Sequence, residues 1–302
     1  MPRQSYLNFR AANDGDYVEI NDAPTLDLTT GVFTISAWIM PTSWGQNNQG
    51  RVLDHGGGSG GNAGWSLHLE NKSSRGFPQA LRMQINNDSS FDGMSDPTAI
   101  ALNAWQHVAV TFDNGTLTFF VDGLNRGMST GVPTPIARND PIFIGARIDA
   151  QRNFDGAIDE VRIWDRALTQ PEIQINMNLD LTGSELGLVA YYRFDEGSGQ
   201  IAFDATGNGH DGRLGSTTGI DSHDPLWTAT PTTAPTATPT TTPTTTPTAT
   251  PSASPSTSPT VTPTATPTAT PTPEPGLLLQ LVSGLLGLVV LDKRRRRVKG
   301  NA

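Results

Sequence analysis

The chain has 302 residues, no cysteine and a net charge of −9, and this charge is unevenly distributed. Up to Trp227 there are 14 Lys and Arg against 27 Asp and Glu, a net charge of −13, whereas the remainder carries +4. A surface of this sign repels nucleic-acid phosphates and anionic lipid, so we expect no nucleic-acid partner. The lack of cysteine excludes disulfides, thiolate metal sites and a thiol nucleophile.

Short strands separated by polar turns are predicted over the first hundred residues. Val32–Met40 alternates apolar and polar side chains and ends at Pro41, which is typical of a strand that buries one face. The other strands predicted before residue 100 are Tyr6–Phe9, Tyr17–Ile20, Arg51–Asp54, Trp65–Glu70 and Ala80–Asn86.

The strongest strand signal is a hairpin at Trp105–Gly123. Apolar residues occupy every second position on one face of both strands: Val108, Val110, Phe112, Leu117, Phe119 and Val121. Between the strands, Asn114 and Gly115 readily take the positive φ angles that a two-residue hairpin needs. A hairpin is not stable alone, so its apolar face requires a second sheet. The chain is therefore predicted to be an all-β, antiparallel two-sheet sandwich.

Further strands are predicted after the hairpin at Pro141–Arg147, Gly156–Trp164 and Leu186–Phe194. Thr169 followed by Glu172 matches a capping box and predicts a short helix over residues 169–178. The segment from 186 to 227 either closes the same sandwich beside the amino-terminal strands or begins a second repeat. We favour closure, because low-complexity sequence follows at once and a lone stub would leave its apolar strands unpaired.

The last quarter of the chain predicts a linker, an apolar helix and a basic tail. Residues 228–275 are almost entirely Thr, Pro, Ala and Ser, which cannot form a core. In extended polyproline II this segment would reach roughly 150 Å, a passive spacer whose hydroxyls can carry O-linked sugar. Residues 276–291 predict a membrane helix, and the basic residues within 292–302 place the carboxyl end in the cytoplasm and the sandwich outside.

The order of Pro273-Glu274-Pro275, the apolar stretch and the basic cluster resembles the PEP-CTERM sorting signal of bacterial surface proteins. The resemblance implies processing by a membrane exosortase, after which the helix is either retained or removed. The first ten residues, MPRQSYLNFR, contain no apolar run and do not form a secretory signal. Because display outside the cell needs such a signal, we expect the sequence to begin inside a longer protein.

Three separated motifs carry a second resemblance: YVEI…FTISAWIMP, the hairpin, and GAIDEVRIWDRALTQPEI. In this order they resemble the LamG-like jelly-roll group of concanavalin A-like lectin/glucanase domains, over roughly Tyr6 to Trp227. The resemblance implies a jelly roll for residues 1–227. The segment from Gly187 to Gly215 resembles what commonly heads such a domain, yet here it follows the helix.

Enzymes of this fold hydrolyse glycosidic bonds with two carboxylates beside the substrate. The signature implied by the resemblance, two Glu on either side of an Asp in one strand, is absent. Asp159-Glu160 is an adjacent pair, and neighbours in a regular strand point to opposite faces. Nucleophile elbows, zinc helices and P-loops are also absent, and the five histidines lack ligand spacing. We therefore assign no catalytic residue and do not expect an enzyme.

Calcium is the ligand best supported by the acidic composition, because it prefers carboxylate and carbonyl oxygen. The resemblance implies a structural ion held by Asp159 together with the turn that contains Asp14 and Asp16; the alternative is that Asp159 caps backbone N–H groups. A second calcium candidate combines Asp204, Asn208 and Asp211, although position twelve of that loop is Gly215 and not Glu. There a turn without metal is the favoured interpretation.

A carbohydrate site requires an exposed aromatic side chain with hydrogen-bonding groups beside it. Trp44 and Trp65 are the aromatic candidates and Asp54 and His55 the polar ones, whereas the other strand tryptophans are expected in the core. Three functions stay open: a non-catalytic module that recognises glycan or protein, a glycoside-active enzyme with unrecognised carboxylates, and a structural surface or matrix protein. We favour the recognition module, stabilised by calcium and displayed on the linker.

Overall fold

The computed structural model describes residues 5–11, 15–56, 63–72, 77–86 and 93–229. These residues form sixteen β-strands and one α-helix, α1 (Gln170–Asn176). The strands are β1 (Ser5–Phe9), β2 (Val18–Ile20), β3 (Val32–Pro41), β4 (Arg51–His55), β5 (Trp65–Lys72), β6 (Phe77–Ile85), β7 (Gly93–Met94), β8 (Gln106–Asp113), β9 (Thr116–Val121), β10 (Leu124–Thr130), β11 (Ile142–Ile144), β12 (Gly156–Trp164), β13 (Leu188–Tyr192), β14 (Ile201–Ala202), β15 (Gly212–Leu214) and β16 (Leu226–Ala229).

The strands form two antiparallel sheets. The first sheet has the order β10-β9-β8-β3-β12-β1-β16, and the second has the order β14-β15-β2-β11-β4-β5-β6-β7. In the first sheet, β3 runs along one edge of β12, while β1 and β13 pair with the two halves of its other edge. The prediction of an all-β, antiparallel two-sheet jelly roll is confirmed.

The predicted hairpin is β8 and β9, and its turn has the expected geometry. Asn114 has a φ of 43° and Gly115 a φ of 94°, both in the left-handed region. All six apolar residues on the predicted face of the hairpin belong to the main core between the sheets. The second sheet contributes the alternate residues of its strands to the same core, among them Leu53, Leu67 and Met83.

The segment after α1 closes the sandwich, as we favoured from the sequence. β13 pairs with β12, β15 pairs with β2, and β16 pairs with β1. The strands nearest the two ends of the domain therefore complete both sheets. A second repeat would have left these strands unpaired.

The helix α1 covers the outer face of the first sheet. Its predicted capping pair forms, with the backbone N–H of Thr169 donating to Oε2 of Glu172 at 2.7 Å. Ile173 is buried against a second apolar cluster that includes Trp164, Leu168 and Tyr191. Below the helix only about 10 Å³ of space is left, so this face of the sheet is closed.

A bulge in β12 corrects one expectation from the sequence. The pairing of β12 with β3 shifts register between Asp159 and Arg162, and Glu160 has a φ of 52°. Because of the extra residue, Ile158 and Val161 both face the main core. Asp159 and Glu160 thus both lie on the outer side of the sheet, and the prediction that they point to opposite faces is wrong.

The predicted linker beyond residue 229, the apolar stretch 276–291 and the basic tail 292–302 lie outside the described residues. Within the part of the chain that is described, no helix has the length and apolar character needed to cross a membrane.

Candidate functional site

Two of the residues predicted to contact carbohydrate are packed inside the sandwich. Trp65 is 1% exposed, and its Nε1 donates to the carbonyl oxygen of Leu26 at 3.1 Å. His55 is fully buried and contacts Trp65 edge-on, with the ring centroids 5.7 Å apart. Trp65 therefore offers no exposed aromatic face here.

Asp54 lies on the opposite side of β4 from His55, in a closed polar layer over the second sheet. Its Oδ2 is 3.0 Å from Nε of Arg51, and both side chains are buried. Burial lowers the pKa of Arg51 to about 10, and Asp54 partly offsets that effect. Trp44 is half-buried and packs against the main core. The four predicted residues thus do not present a common surface.

The first predicted calcium site contains an arginine beside its carboxylate. Both carboxylate oxygens of Asp16 accept hydrogen bonds from the Arg10 guanidinium, at 2.8 and 3.0 Å. Burial raises the pKa of Asp16, and the bonds from Arg10 act in the opposite direction. Asp159 is fully buried, and its Oδ1 accepts from the backbone N–H of Glu160 at 2.9 Å. Asp14 lies outside the described residues.

The second predicted calcium site has the geometry of a hydrogen-bonded turn. Oδ1 of Asp204 accepts from the backbone N–H of Tyr191 at 3.1 Å, and its Oδ2 accepts from that of His210 at 3.3 Å. Asp211 accepts from the backbone N–H of Asp204 at 2.8 Å, and Asn208 donates to the carbonyl of Val189 at 3.0 Å. These oxygens face N–H donors, which is the arrangement of the metal-free alternative. Calcium binding at both sites stays a prediction.

An open cleft of about 520 Å³ lies between the residues that lead into β16, the loop before β14 and the end of β15. Its volume falls in the range of about 300–1,000 Å³ that is usual for ligand pockets. Its lining comes from four separate stretches of the chain: Gly197, Ser198, Gly199, Gln200; Leu214; Thr218, Gly219, Ile220; and Asp224, Pro225, Leu226, Trp227. We call it the Trp227 cleft.

The Trp227 cleft combines an aromatic ring fixed by a hydrogen bond with side-chain oxygens that have no hydrogen-bond donor in the described part of the chain. Nε1 of Trp227 donates to the carbonyl of Gly199 at 2.9 Å, and its ring contacts Phe194 edge-on. Oδ1 of Asp224 and Oε1 of Gln200 are buried, and neither accepts a hydrogen bond from any described residue. Buried acceptors of this kind cost free energy unless a ligand or water donates to them.

Sequence reasoning used Trp227 only as the end of the domain and did not assign Asp224 or Gln200. The cleft joins residues near 200, 215 and 225, and no local spacing connects them. The sequence did contain one indication that Trp65 is buried. Trp65, Leu67 and Leu69 alternate along β5, so the same rule that buried the two leucines also predicts a buried Trp65.

The fold and the site define a jelly-roll domain with an aromatic cleft, and a comparison of sequences identifies its family. The family model for the concanavalin A-like lectin/glucanases superfamily matches residues 12–174, more than half of the chain. The chain belongs to this superfamily, which confirms the resemblance drawn from the three motifs.

Individual relatives are distant. A solved structure of a proposed carbohydrate-binding protein from Bacteroides ovatus is 22% identical, with a TM-score of 0.56, and the match covers 75% of this chain and 62% of that one. Adhesion G-protein coupled receptor V1 of Danio rerio is 24% identical over 170 residues, 55% of this chain and 3% of the receptor. C-reactive protein of Xenopus laevis is 29% identical over 101 residues, 30% of this chain and 41% of that protein. The chain spans less than half of either curated relative.

Proposed function

We propose that the domain is a non-catalytic recognition module that binds a glycan in the Trp227 cleft. The observation that carries this proposal is an open cleft lined by a half-buried tryptophan and by two polar side chains, each with an oxygen that has no donor among the described residues. The description of the Bacteroides ovatus protein as carbohydrate-binding supports it.

The chemistry of the cleft favours a neutral sugar. The ring of Trp227 suits the apolar C–H face of a pyranose, and sugar hydroxyls can donate to Asp224 and Gln200. Asp224 also adds a negative charge to a domain of net charge −13. Uronates and sulfated sugars would be repelled, so neutral glycans are expected to bind best.

Display outside a bacterial cell and stabilisation by calcium are further parts of the proposal. Display rests on the order of linker, apolar stretch and basic tail in the sequence. Protease treatment of intact cells of the native host should remove the domain, and protection from protease would count against display. A calcium titration of the purified chain should raise the melting temperature. An unchanged melting temperature would contradict stabilisation by calcium.

A binding experiment with the full chain tests the recognition site. The parent should bind a subset of neutral oligosaccharides on a glycan array without hydrolysing them. Trp227→Ala should abolish this binding, whereas Trp105→Ala should not, because Trp105 is also half-buried but contacts Tyr6 edge-on and does not line the cleft. Binding that survives Trp227→Ala but is lost with Trp44→Ala would instead place the site at the residue predicted from the sequence. Release of reducing sugar by the parent would show that the protein is an enzyme and would contradict the proposal.

A further inference from the structure

Three side chains that can bind a metal converge at the rim of the sandwich, away from the Trp227 cleft. They are Asp22 and Asp27, which flank the turn after β2, and His55 at the end of β4. One ligand atom from each lies within 4.8 Å of the other two. Nε2 of His55 is 3.6 Å from Oδ1 of Asp22 and 3.9 Å from Oδ1 of Asp27.

The environment of His55 points to a metal site independently of these distances. His55 is completely buried, and the backbone of Asp140 lies within hydrogen-bonding reach of its ring. Its Nε2, which lies beside the two carboxylates, makes no hydrogen bond within the described part of the chain. A buried imidazole nitrogen without a partner is costly, so most such nitrogens are hydrogen-bonded or bind a metal. Trp65 holds this ring edge-on, with Nε2 directed at the two carboxylates.

The separations are close to those that a bound ion would impose. Zinc lies about 2.0–2.2 Å from nitrogen and oxygen ligands, so two ligands of one tetrahedral ion are about 3.4 Å apart. The observed 3.6 and 3.9 Å need to shorten only slightly. Both are longer than a direct N–H···O hydrogen bond.

A neighbouring arginine, Arg138, lies beside the cluster. Its guanidinium pairs with Asp140, while its backbone N–H donates to Oδ1 of Asp27 at 2.8 Å. The backbone bond fixes the orientation of Asp27. Asp22 is 31% exposed, so an ion has a route to the cluster from solvent.

We propose that Asp22, Asp27 and His55 form a binding site for a divalent transition metal of the zinc class. One imidazole and two carboxylates are a donor set suited to zinc, whereas calcium prefers six to eight oxygen ligands. Three protein ligands leave a fourth position to water. The ion would join the turn after β2 to the end of β4 and stabilise this rim of the domain.

Cobalt and zinc titrations of the full chain, freed of metal with a chelator, test the site. Co²⁺ should give a visible absorption band that saturates at one equivalent, and Zn²⁺ should abolish the band and raise the melting temperature. Ca²⁺ should not displace Co²⁺, so the band should persist when Ca²⁺ is added. Loss of an outer partner of a metal ligand weakens binding about 10–100-fold, so loss of a direct ligand by Asp22→Asn should weaken Co²⁺ binding by roughly 100-fold or more.

Asp22→Asn is the main variant because its side chain is partly exposed and nearly isosteric, so the metal-free fold should be unchanged. The matched control is His210→Gln, because His210 contacts the same turn through Thr25 at 3.2 Å but lies outside the cluster. Parent-like Co²⁺ binding by His210→Gln supports the site. Parent-like binding by Asp22→Asn, loss of the band in His210→Gln, or no saturable band in the parent would each overturn it. None of these results depends on glycan binding.

Discussion

The layer beneath α1 and the Trp227 cleft both hold buried polar side chains, and in both some of their atoms, such as Nε of Arg162 and Oε1 of Gln200, have no hydrogen-bond partner among the described residues. The two regions differ in that the main charges beneath α1 are paired and covered, whereas the cleft is open. Beneath α1, Glu160 accepts hydrogen bonds from both Arg162 and Tyr191, and Arg162 also donates to the carbonyl of Asn176. In the Trp227 cleft, Oδ1 of Asp224 and Oε1 of Gln200 have no donor among the described residues. The first region is covered by a helix, and the second opens to about 520 Å³.

This difference separates polar side chains that stabilise the fold from polar side chains that are available to a ligand. A polar group that the protein both buries and satisfies stabilises one arrangement of the chain, and its loss should appear in stability. A polar group that the protein buries but leaves unsatisfied lowers stability, and a ligand can recover that loss on binding. Variants in the two regions should therefore change different measurements.

The largest expected effect on stability is in the layer beneath α1, which we call the closed layer. Glu160→Ala should lower the free energy of unfolding by about 3–5 kcal/mol, because it leaves the buried charge of Arg162 without its carboxylate. Urea unfolding of the full chain measures this loss. Asp149→Ala is the matched control, since Asp149 is exposed and its partner Arg147 is only partly buried, so this pair should contribute less than about 1 kcal/mol. Equal losses for the two variants would show that the closed layer is not a coupled network.

The closed layer should also make the domain sensitive to acid. His107 is 2% exposed, and burial, followed by the nearby Arg162, lowers its pKa to about 3. Because the unfolded value is about 6.5, this contribution to stability is complete above that pH and is lost as the pH falls toward 3.

The expected slope is about 1.4 kcal/mol per pH unit below about pH 6 for each such histidine. Burial, with smaller contributions from arginines, also lowers the pKa of His68, which adds to the slope. Urea unfolding between pH 7.5 and 4.5 measures it. His107→Gln should flatten the dependence, and a parent without acid sensitivity would contradict the buried neutral state of His107.

Much of the fold followed from local sequence patterns, because they report which side of a strand is buried. The alternation in 105–123 and the Asn114-Gly115 turn predicted β8 and β9 correctly, and Thr169 with Glu172 predicted α1. The bulge at Glu160 was not predicted. A non-glycine residue at positive φ in mid-strand carries no local signal, and tertiary contacts with Arg162 and Tyr191 hold it there.

The sites were harder to predict than the fold, because each is assembled from distant segments. The alternation of β4 does place Asp54 and His55 on opposite faces, yet both were assigned to one carbohydrate site. The rim cluster needs Asp22 and Asp27 to meet His55 across about thirty residues, which only the pairing of β2, β11 and β4 achieves. The sequence analysis did not connect them.

A substitution in the Trp227 cleft should separate binding from stability. Gln200→Leu replaces an amide whose oxygen is buried without a donor by an apolar side chain of similar size, so the free energy of unfolding should stay within about 1 kcal/mol of the parent or rise. Affinity for the neutral glycan should fall about tenfold, equivalent to about 1.4 kcal/mol, because a sugar hydroxyl loses its acceptor. Calorimetric titration and urea unfolding measure the two quantities. A large loss in the free energy of unfolding with unchanged glycan affinity would show that Gln200 stabilises the fold and does not contact the glycan.

The smallest expected effect concerns the helix that covers the closed layer. Thr169→Ala removes the hydroxyl that donates to Oε2 of Glu172 at 2.8 Å and should cost about 0.5–1 kcal/mol, the usual effect of losing a helix cap. Because α1 packs on the first sheet and the cleft lies elsewhere, glycan affinity should not change. Hydrogen exchange should speed up in α1 and in the neighbouring part of β12, but not in β15 or β16. Faster exchange at β16, or weaker glycan binding, would show that the two regions are coupled.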